Sequence, residues 1–251
     1  MFLLDEGKAN THLTHLEELV LTQGPKGYDM ARAFLLELLE ELKGNVDSKV
    51  KTSVKWDGAP AIFAGINPEN GKFFVGTKSI FNKVPKINYT PEDVQRNHGH
   101  APGLVDKLVK ALRYLPGLGI QKILQGDFMF DSSDLKTETI GGVKHITFHP
   151  NTILYAIPAG TPLAKQIAKA KVGIVWHTSY SGGTFETMRA EFGKDITSKL
   201  KSSPNVWQVD ATLKDLSGTA TLTQKDSLLV SKKLSDAGKI FKKISASTLK
   251  E

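Results

Sequence analysis

The chain has 251 residues, 40% of them hydrophobic and 24% charged, which is typical of a soluble globular protein with one large domain or two small ones. It has no cysteine, which excludes disulfides and thiolate metal sites, and no apolar run approaches the ~18 residues of a membrane-spanning helix. The formal net charge of +7 suits a nucleic-acid or polyphosphate partner, although many basic proteins bind neither.

The first residues, which include Asp5 and Glu6, are too acidic and too few for a signal peptide. We therefore expect a cytoplasmic protein that does not enter a membrane. Basic charge is concentrated over residues 225–251, where seven lysines stand against Asp226, Asp236 and Glu251.

Two helices are predicted at the start of the chain, over 11–23 and 30–43. Alternating apolar residues and a clear turn then predict three antiparallel strands, over 48–55, 60–66 and 71–77. Residues 82–100 are polar and are interpreted as an irregular segment. His98 and His100 invite a metal interpretation, but a loop is favoured because no further ligands converge on them.

The rest of the chain alternates between helical and strand patterns. The predicted elements are a helix from Pro102, a strand over 122–130, a hairpin over 143–148 and 152–157, a helix over 162–170, a strand over 171–178, a helix from Thr184 to Phe192, short strands within 201–223 and a lysine-rich amphipathic helix over 226–246. We expect an N-terminal helical segment over 1–47, a core over 48–200, and a basic segment over 201–251 that could belong to the same domain.

The most informative motif is Lys55-Trp56-Asp57-Gly58, which stands between two predicted strands. Glycine in a tight turn lets the backbone approach a phosphate closely, and a lysine amine that has lost its proton can act as a nucleophile. The same residues also suit a simpler interpretation, because Asp-Gly is a common hairpin turn and Lys55 could be a solvated charge.

Two further motifs follow on later strands. Gly76-Thr77-Lys78-Ser79 places a second lysine among small residues at the end of a strand. Asp127 interrupts an otherwise apolar strand, directly after Gly126. A carboxylate in such a strand is costly unless it is paired or binds a metal, although a solvent-facing position on an edge strand would also accommodate it.

In this order, the three motifs resemble those of the covalent nucleotidyltransferase superfamily, which comprises ATP-dependent DNA ligases, RNA ligases and mRNA capping enzymes. The resemblance covers about residues 50–180. The chain is also similar to uncharacterised proteins of tailed phages, which would make the compartment the host cytoplasm. The resemblance implies an α+β fold of antiparallel sheets flanked by helices around a ligase-type, ATP-grasp-like core.

The resemblance also implies a reaction. Lys55 would attack the α-phosphate of ATP, or of GTP, in the presence of Mg²⁺, and the resulting lysyl-AMP would be passed to a DNA or RNA end. Asp57 would lie in the same loop and would hold the ribose or the lysine.

The remaining site residues implied by the resemblance bind the nucleotide. Gly58 and Lys78 would lie near the ribose and phosphates, and Asp127 would bind the ribose or orient a metal ion. The ring that stacks on the base would be Phe148 or Trp176.

The chain departs from the superfamily pattern at several positions. Pro60 stands where most ligases have an arginine, Val172 stands where a metal-binding acid is expected, and no Lys-x-Lys strand follows. Because phosphoryl transfer depends on positioning and charge stabilisation, two alternatives stay open. One is a catalytically incomplete module that binds nucleotide or nucleic acid, and the other is a phage structural protein.

Overall fold

The computed structural model describes residues 16–43, 54–192, 195–211, 222–244 and 248. The described residues fall into two compact units: 54–192 with 195–211, and 16–43 with 222–244. Helices from both ends of the chain therefore share one unit. Residues 206–210, which we expected in the C-terminal segment, belong to the unit that contains the predicted core.

The helical unit consists of α1 (Leu16–Leu42) and α5 (Gln224–Phe241). The two helices predicted over 11–23 and 30–43 form one element with a break at Gly24, where φ is 55° and ψ is −131°. Residues 11–15 of that prediction lie outside the described residues. Tyr28 of α1 stacks on Phe241 of α5 with ring centroids 4.1 Å apart, so the apolar stripes of the two helices pack together.

The larger unit is built on a six-stranded sheet. Its strands are β1 (Ala61–Ile66), β2 (Phe73–Gly76), β3 (Ile123–Asp131), β7 (Val172–Ser181), β8 (Arg189–Phe192) and β9 (Val206–Asp210). The order is β2-β1-β3-β7-β8, and β9 pairs in parallel with the first half of β7 while all other pairs are antiparallel. The predicted strands over 60–66, 71–77, 122–130 and 171–178 are thus confirmed within one or two residues at most ends.

A separate three-stranded sheet contains β4 (Lys136–Ile140), β5 (Val143–Phe148) and β6 (Tyr155–Pro158), in that order. The predicted hairpin over 143–148 and 152–157 corresponds to β5 and β6. The fully exposed strand β4 was not predicted, because it has no buried face to impose an apolar alternation.

Among its described residues, this unit has three α-helices: α2 (Pro91–His98), α3 (Pro102–Tyr114) and α4 (Pro162–Lys169). The irregular interpretation of 82–100 was wrong over 91–98, where Thr90 and Asp93 form a capping box that starts α2. The helix predicted from Thr184 to Phe192 was also wrong, because a turn leads into β8. Of the strand predicted over 48–55, Val54 and Lys55 are not in a strand and the rest lies outside the described residues.

Helix α3 covers one face of the six-stranded sheet. Its Leu108 and Ala111 are buried in a cluster with the sheet residues Ile62, Leu124, Phe128 and Trp176. Side chains alternate along a strand, so Asp127 lies on the opposite face from Phe128. On that opposite face one apolar cluster gathers around Phe63, Ile123 and Tyr180, and a second around Met129, Phe130 and Val175.

Candidate functional site

The Lys55–Gly58 motif lies beside Asp127 because the segment after it pairs with β3. The Ala59 amide donates to the Phe128 carbonyl at 3.0 Å, the Phe128 amide donates to the Pro60 carbonyl at 3.0 Å, and Ala61 is in register with Asp127. Residues that are about 70 positions apart in the sequence are thereby held next to each other.

Gly58 packs directly against Asp127 and Met129 of β3. A Cβ atom at this position would lie 2.4 Å from Cβ of Asp127 and 2.9 Å from Sδ of Met129. These separations are far below van der Waals contact, so any side chain at position 58 would push the motif away from β3. The glycine of the motif is therefore required by packing against Asp127.

Asp127 has an unusual electrostatic environment. Its side chain is 18% exposed, and burial raises the pKa of its carboxyl to about 6, with the positive charge of Lys55 opposing that rise and the negative charge of Asp57 adding to it. Lys55 and Asp57 therefore lie close enough to Asp127 for their charges to act on its carboxyl group.

Asp57 is held by the loop between β5 and β6. Its Oδ1 accepts from Asn151 Nδ2 at 2.8 Å, and its Oδ2 accepts from the Thr152 amide and hydroxyl, both at 2.6 Å, and from the Ile153 amide at 2.8 Å. Hydrogen bonds from the side chains of Thr152 and Asn151 are the largest causes that lower the pKa of Asp57 to about 2. These hydrogen bonds tie the motif to the loop between β5 and β6.

The second predicted lysine follows the end of β2. Gly76 pairs with Phe63, two residues along β1 from the Ala61–Asp127 pair, so the end of β2 lies near the same end of β1 as Asp127. Lys78 begins a short 3₁₀ helix there and is exposed. Lys78 therefore lies just beyond the end of β2 that is nearest to Asp127.

The two aromatic residues predicted to stack on a base are both buried. Trp176 is fully buried in the cluster beneath α3, with its Nε1 donating to Gln208 Oε1 at 2.9 Å, and it lies on the face opposite to Asp127. Phe148 is 3% exposed and lies between Phe130 and Tyr155, with centroids 4.8 and 5.2 Å away. Neither ring has a free face, so neither fills the stacking role in this arrangement.

Sequence reasoning assigned no role to two rings that contact the motif itself. Trp56 is half-buried and stacks on Tyr155 with centroids 5.4 Å apart, and the Tyr155 hydroxyl accepts a hydrogen bond from the Asp57 amide at 2.9 Å. The position of Trp56 inside the motif was the available signal. Together with the 151–153 loop, these rings fix the side of the motif that faces the small sheet.

A lysine from α3 fixes the other side of the motif. Lys107 Nζ donates to the Ala59 carbonyl at 3.0 Å and lies 5.3 Å from the centroid of the Phe128 ring. This contact was not predicted, because it joins a helix and a turn that are 48 positions apart.

His177, to which the sequence analysis gave no role, lies beside the carboxylate of Asp127. Its Nε2 lies 3.8 Å from Asp127 Oδ1, and its Nδ1 lies 2.7 Å from Thr178 Oγ1. Burial lowers the pKa of His177, with the charge of Asp210 opposing that shift, so the imidazole is neutral near pH 7. A histidine inside the apolar strand pattern 172–178 was the signal that could have identified it.

The chemistry of these donors limits what metal they hold. Among the described residues, no three His, Asp or Glu side chains converge well enough to hold a metal ion by themselves. Asp127 and His177 offer one carboxylate and one imidazole. The Mg²⁺ ion implied by the resemblance fits only if a bound nucleotide supplies further oxygen ligands.

The other histidine pair does not form a site. His98 is the buried last residue of α2, and its Nε2 lies 3.5 Å from Asn88 Nδ2. His100 is exposed in the following turn. Among the described residues, none of the helices combines the length and the apolar composition that a membrane span requires.

Comparison with known proteins gives a family without a described activity. The model of DUF6267, a family of unknown function, matches residues 10–251. No curated protein and no solved structure matches the chain.

Proposed function

We propose that this chain, which belongs to the DUF6267 family of unknown function, is a nucleotidyltransferase that forms a lysyl-AMP at Lys55 and passes the nucleotide to a nucleic-acid end. The observation that carries the proposal is the contact between Gly58 and Asp127 on one face of the sheet. That contact joins the segment that carries the lysine to a half-buried carboxylate whose raised pKa is opposed by the lysine charge. Buried carboxylates with raised pKa values are concentrated at functional sites.

The first step forms a phosphorus–nitrogen bond. The deprotonated amine of Lys55 attacks the α-phosphorus of ATP or GTP, the bond to the β-phosphate oxygen breaks, pyrophosphate leaves, and the amine proton is released to solvent. In the second step a nucleic-acid end takes the nucleotide, and the amine of Lys55 is regenerated.

The residues around Lys55 have positioning and electrostatic roles in this proposal. The hydrogen bonds to Asp57 and the contact of Lys107 with Ala59 hold the backbone next to Lys55 in place before nucleotide binds. Asp127 would contact the ribose, or a Mg²⁺ ion that neutralises phosphate charge. Lys78 would supply positive charge to the phosphates.

Covalent labelling tests the proposal. We expect the full chain, incubated with α-labelled ATP or GTP and a divalent cation, to retain acid-sensitive, base-stable label. Lys55→Ala should abolish the label, because the nucleophile is removed. Lys165→Ala, which changes an exposed lysine on α4, is the matched control and should be labelled like the wild type.

The label distinguishes this function from the alternatives. Labelling that persists in Lys55→Ala, or no label on the wild type at all, would reject the nucleotidyltransferase. Nucleotide binding without label would instead indicate a binding module with the same site. Neither binding nor label would leave the structural protein as the remaining interpretation.

A further inference from the structure

His177 faces Asp127 because β7 contains a bulge. Gln125 of β3 pairs with Thr178 whereas Gly126 pairs with Trp176, so three residues of β7 stand opposite two of β3 and His177 is the extra one. A bulge redirects one side chain and increases the local twist, and bulges are frequent beside functional sites. The sheet therefore brings an imidazole to the carboxylate of Asp127.

The close packing on the other face supports this arrangement. A Cβ atom on Gly126 would lie 2.6 Å from the Val175 carbonyl oxygen and 2.8 Å from Cε3 of Trp176. Since β3 and β7 approach this closely only with glycine at position 126, the irregular pairing that presents His177 depends on that residue.

The two ring nitrogens of His177 have different surroundings. Nδ1 is 2.7 Å from the Thr178 hydroxyl, which fixes the ring orientation, and Nε2 is 3.8 Å from Asp127 Oδ1. This second distance is too long for a hydrogen bond. It is short enough for both atoms to lie about 2.1–2.2 Å from one shared cation.

We propose that Asp127 and His177 together bind a divalent first-row transition-metal ion in preference to Mg²⁺, with phosphate oxygens of a bound nucleotide completing the coordination. Imidazole nitrogen is a ligand that transition metals accept far better than Mg²⁺, which favours oxygen. Histidine ligands usually have an outer hydrogen-bond partner on the other ring nitrogen, and the Thr178 hydroxyl takes that place for Nδ1. This inference rests on the proposed nucleotide-binding function, because two protein ligands do not complete a site.

Pulsed electron paramagnetic resonance with Mn²⁺ as the probe tests the inference directly. In the complex of the full chain, Mn²⁺ and a non-hydrolysable ATP analogue, we expect the electron spin of Mn²⁺ to show coupling to a directly bound ¹⁴N nucleus. His177→Gln should lose that coupling and bind Mn²⁺ about tenfold or more weakly. His100→Gln, which changes an exposed histidine, should retain both.

The wild-type spectrum decides even if a variant does not fold. A Mn²⁺–nucleotide complex that binds the wild type without nitrogen coupling would overturn the inference and leave the nucleotidyltransferase proposal standing. Equal affinities of the nucleotide-bound protein for Mg²⁺ and Mn²⁺ would overturn the inference as well. Failure of the nucleotide to bind at all would remove both proposals.

Discussion

Asp127 and Asp131 lie on the same strand, yet their surroundings shift the pKa values of the two carboxyl groups in opposite directions. Burial raises the pKa of Asp127 to about 6. Burial also acts to raise the pKa of Asp131, but hydrogen bonds from Lys110, whose Nζ is 2.8 Å away, and from Ser133 outweigh it and lower that pKa. Asp131 is thus a paired structural carboxylate, whereas the charge of Asp127 reduces stability, as groups retained for function often do.

We predict that Asp127→Asn raises the free energy of unfolding by about 1–3 kcal/mol at pH 7.5. The folded pKa of about 6 lies above the ordinary 3.8, so the folded protein binds this proton more tightly. The wild type therefore loses stability as the pH rises from 3.8 to about 6, and the loss remains at higher pH. Urea unfolding at pH 4 and pH 7.5 measures the effect, which should nearly vanish at pH 4.

The matched control is Asp131→Asn, which should lower stability at pH 7.5 because it leaves the partly buried Lys110 without its partner. Destabilisation of similar size by both variants would show that Asp127 is simply another structural carboxylate.

Gly58 gives a second prediction for a single residue. Gly58→Ala should reduce labelling of Lys55 about 100-fold, because displacing the turn from Asp127 by an ångström misaligns the attacking amine. Gly103→Ala places the same methyl group on α3, where no atom lies within 4 Å, and should leave labelling unchanged. The initial rate of label incorporation is the measurement, and unchanged labelling in Gly58→Ala would argue against the proposed geometry.

At the scale of elements, the motif is clamped between two parts of the fold. The 151–153 loop holds Asp57 from the side of the small sheet, and α3 holds the Ala59 carbonyl through Lys107. Neither the helix nor the loop carries the proposed nucleophile. Their part in the proposed reaction is to hold the backbone that follows Lys55.

We predict that Lys107→Met, which keeps apolar contact with Phe128 but removes the hydrogen bond to Ala59, lowers the labelling rate about tenfold and stability by only about 1 kcal/mol. Lys110→Met should leave the labelling rate unchanged and lower stability more than Lys107→Met does, since it removes the partner of buried Asp131. Labelling rates and urea unfolding of both variants provide the check. Equal labelling rates would contradict the role given to Lys107.

At the scale of the whole molecule, the two units differ in whether their described residues come from one continuous stretch of the sequence. The described residues of the unit with the six-stranded sheet lie within one continuous stretch, 54–211. The helical unit is made from α1 and α5, which come from opposite ends of the chain.

We therefore predict that a chain of residues 53–212 folds cooperatively and is labelled at Lys55, because it contains all three apolar clusters around the sheets and the described site residues. Residues 213–251 alone should be largely unfolded, since the apolar face of α5 packs on α1. Circular dichroism with thermal unfolding, followed by labelling, tests both fragments. A 53–212 fragment without a cooperative transition would contradict the division.

Elements with a strong local pattern were predictable. The alternation in β1, the apolar run of β3 and the helical patterns over α3 and α4 all give the right element near the right residues. Helix α2 had an equally local signal in Thr90 and Asp93, but its polar composition led to a loop assignment. The helix predicted over 184–192 was wrong for a different reason: the short strand there forms because it pairs with β7, which no local pattern indicates.

The sequence by itself determined the strand that follows the Lys55 motif and the strand that carries Asp127, because both depend on the order of nearby residues. Only the tertiary structure decided which side chains gather there. Asp57 meets Asn151, 94 positions away, and His177 is presented by a bulge that exists only when β7 pairs with β3. The burial of Trp176 is likewise decided by α3, since the face of a strand that becomes core depends on what packs against it.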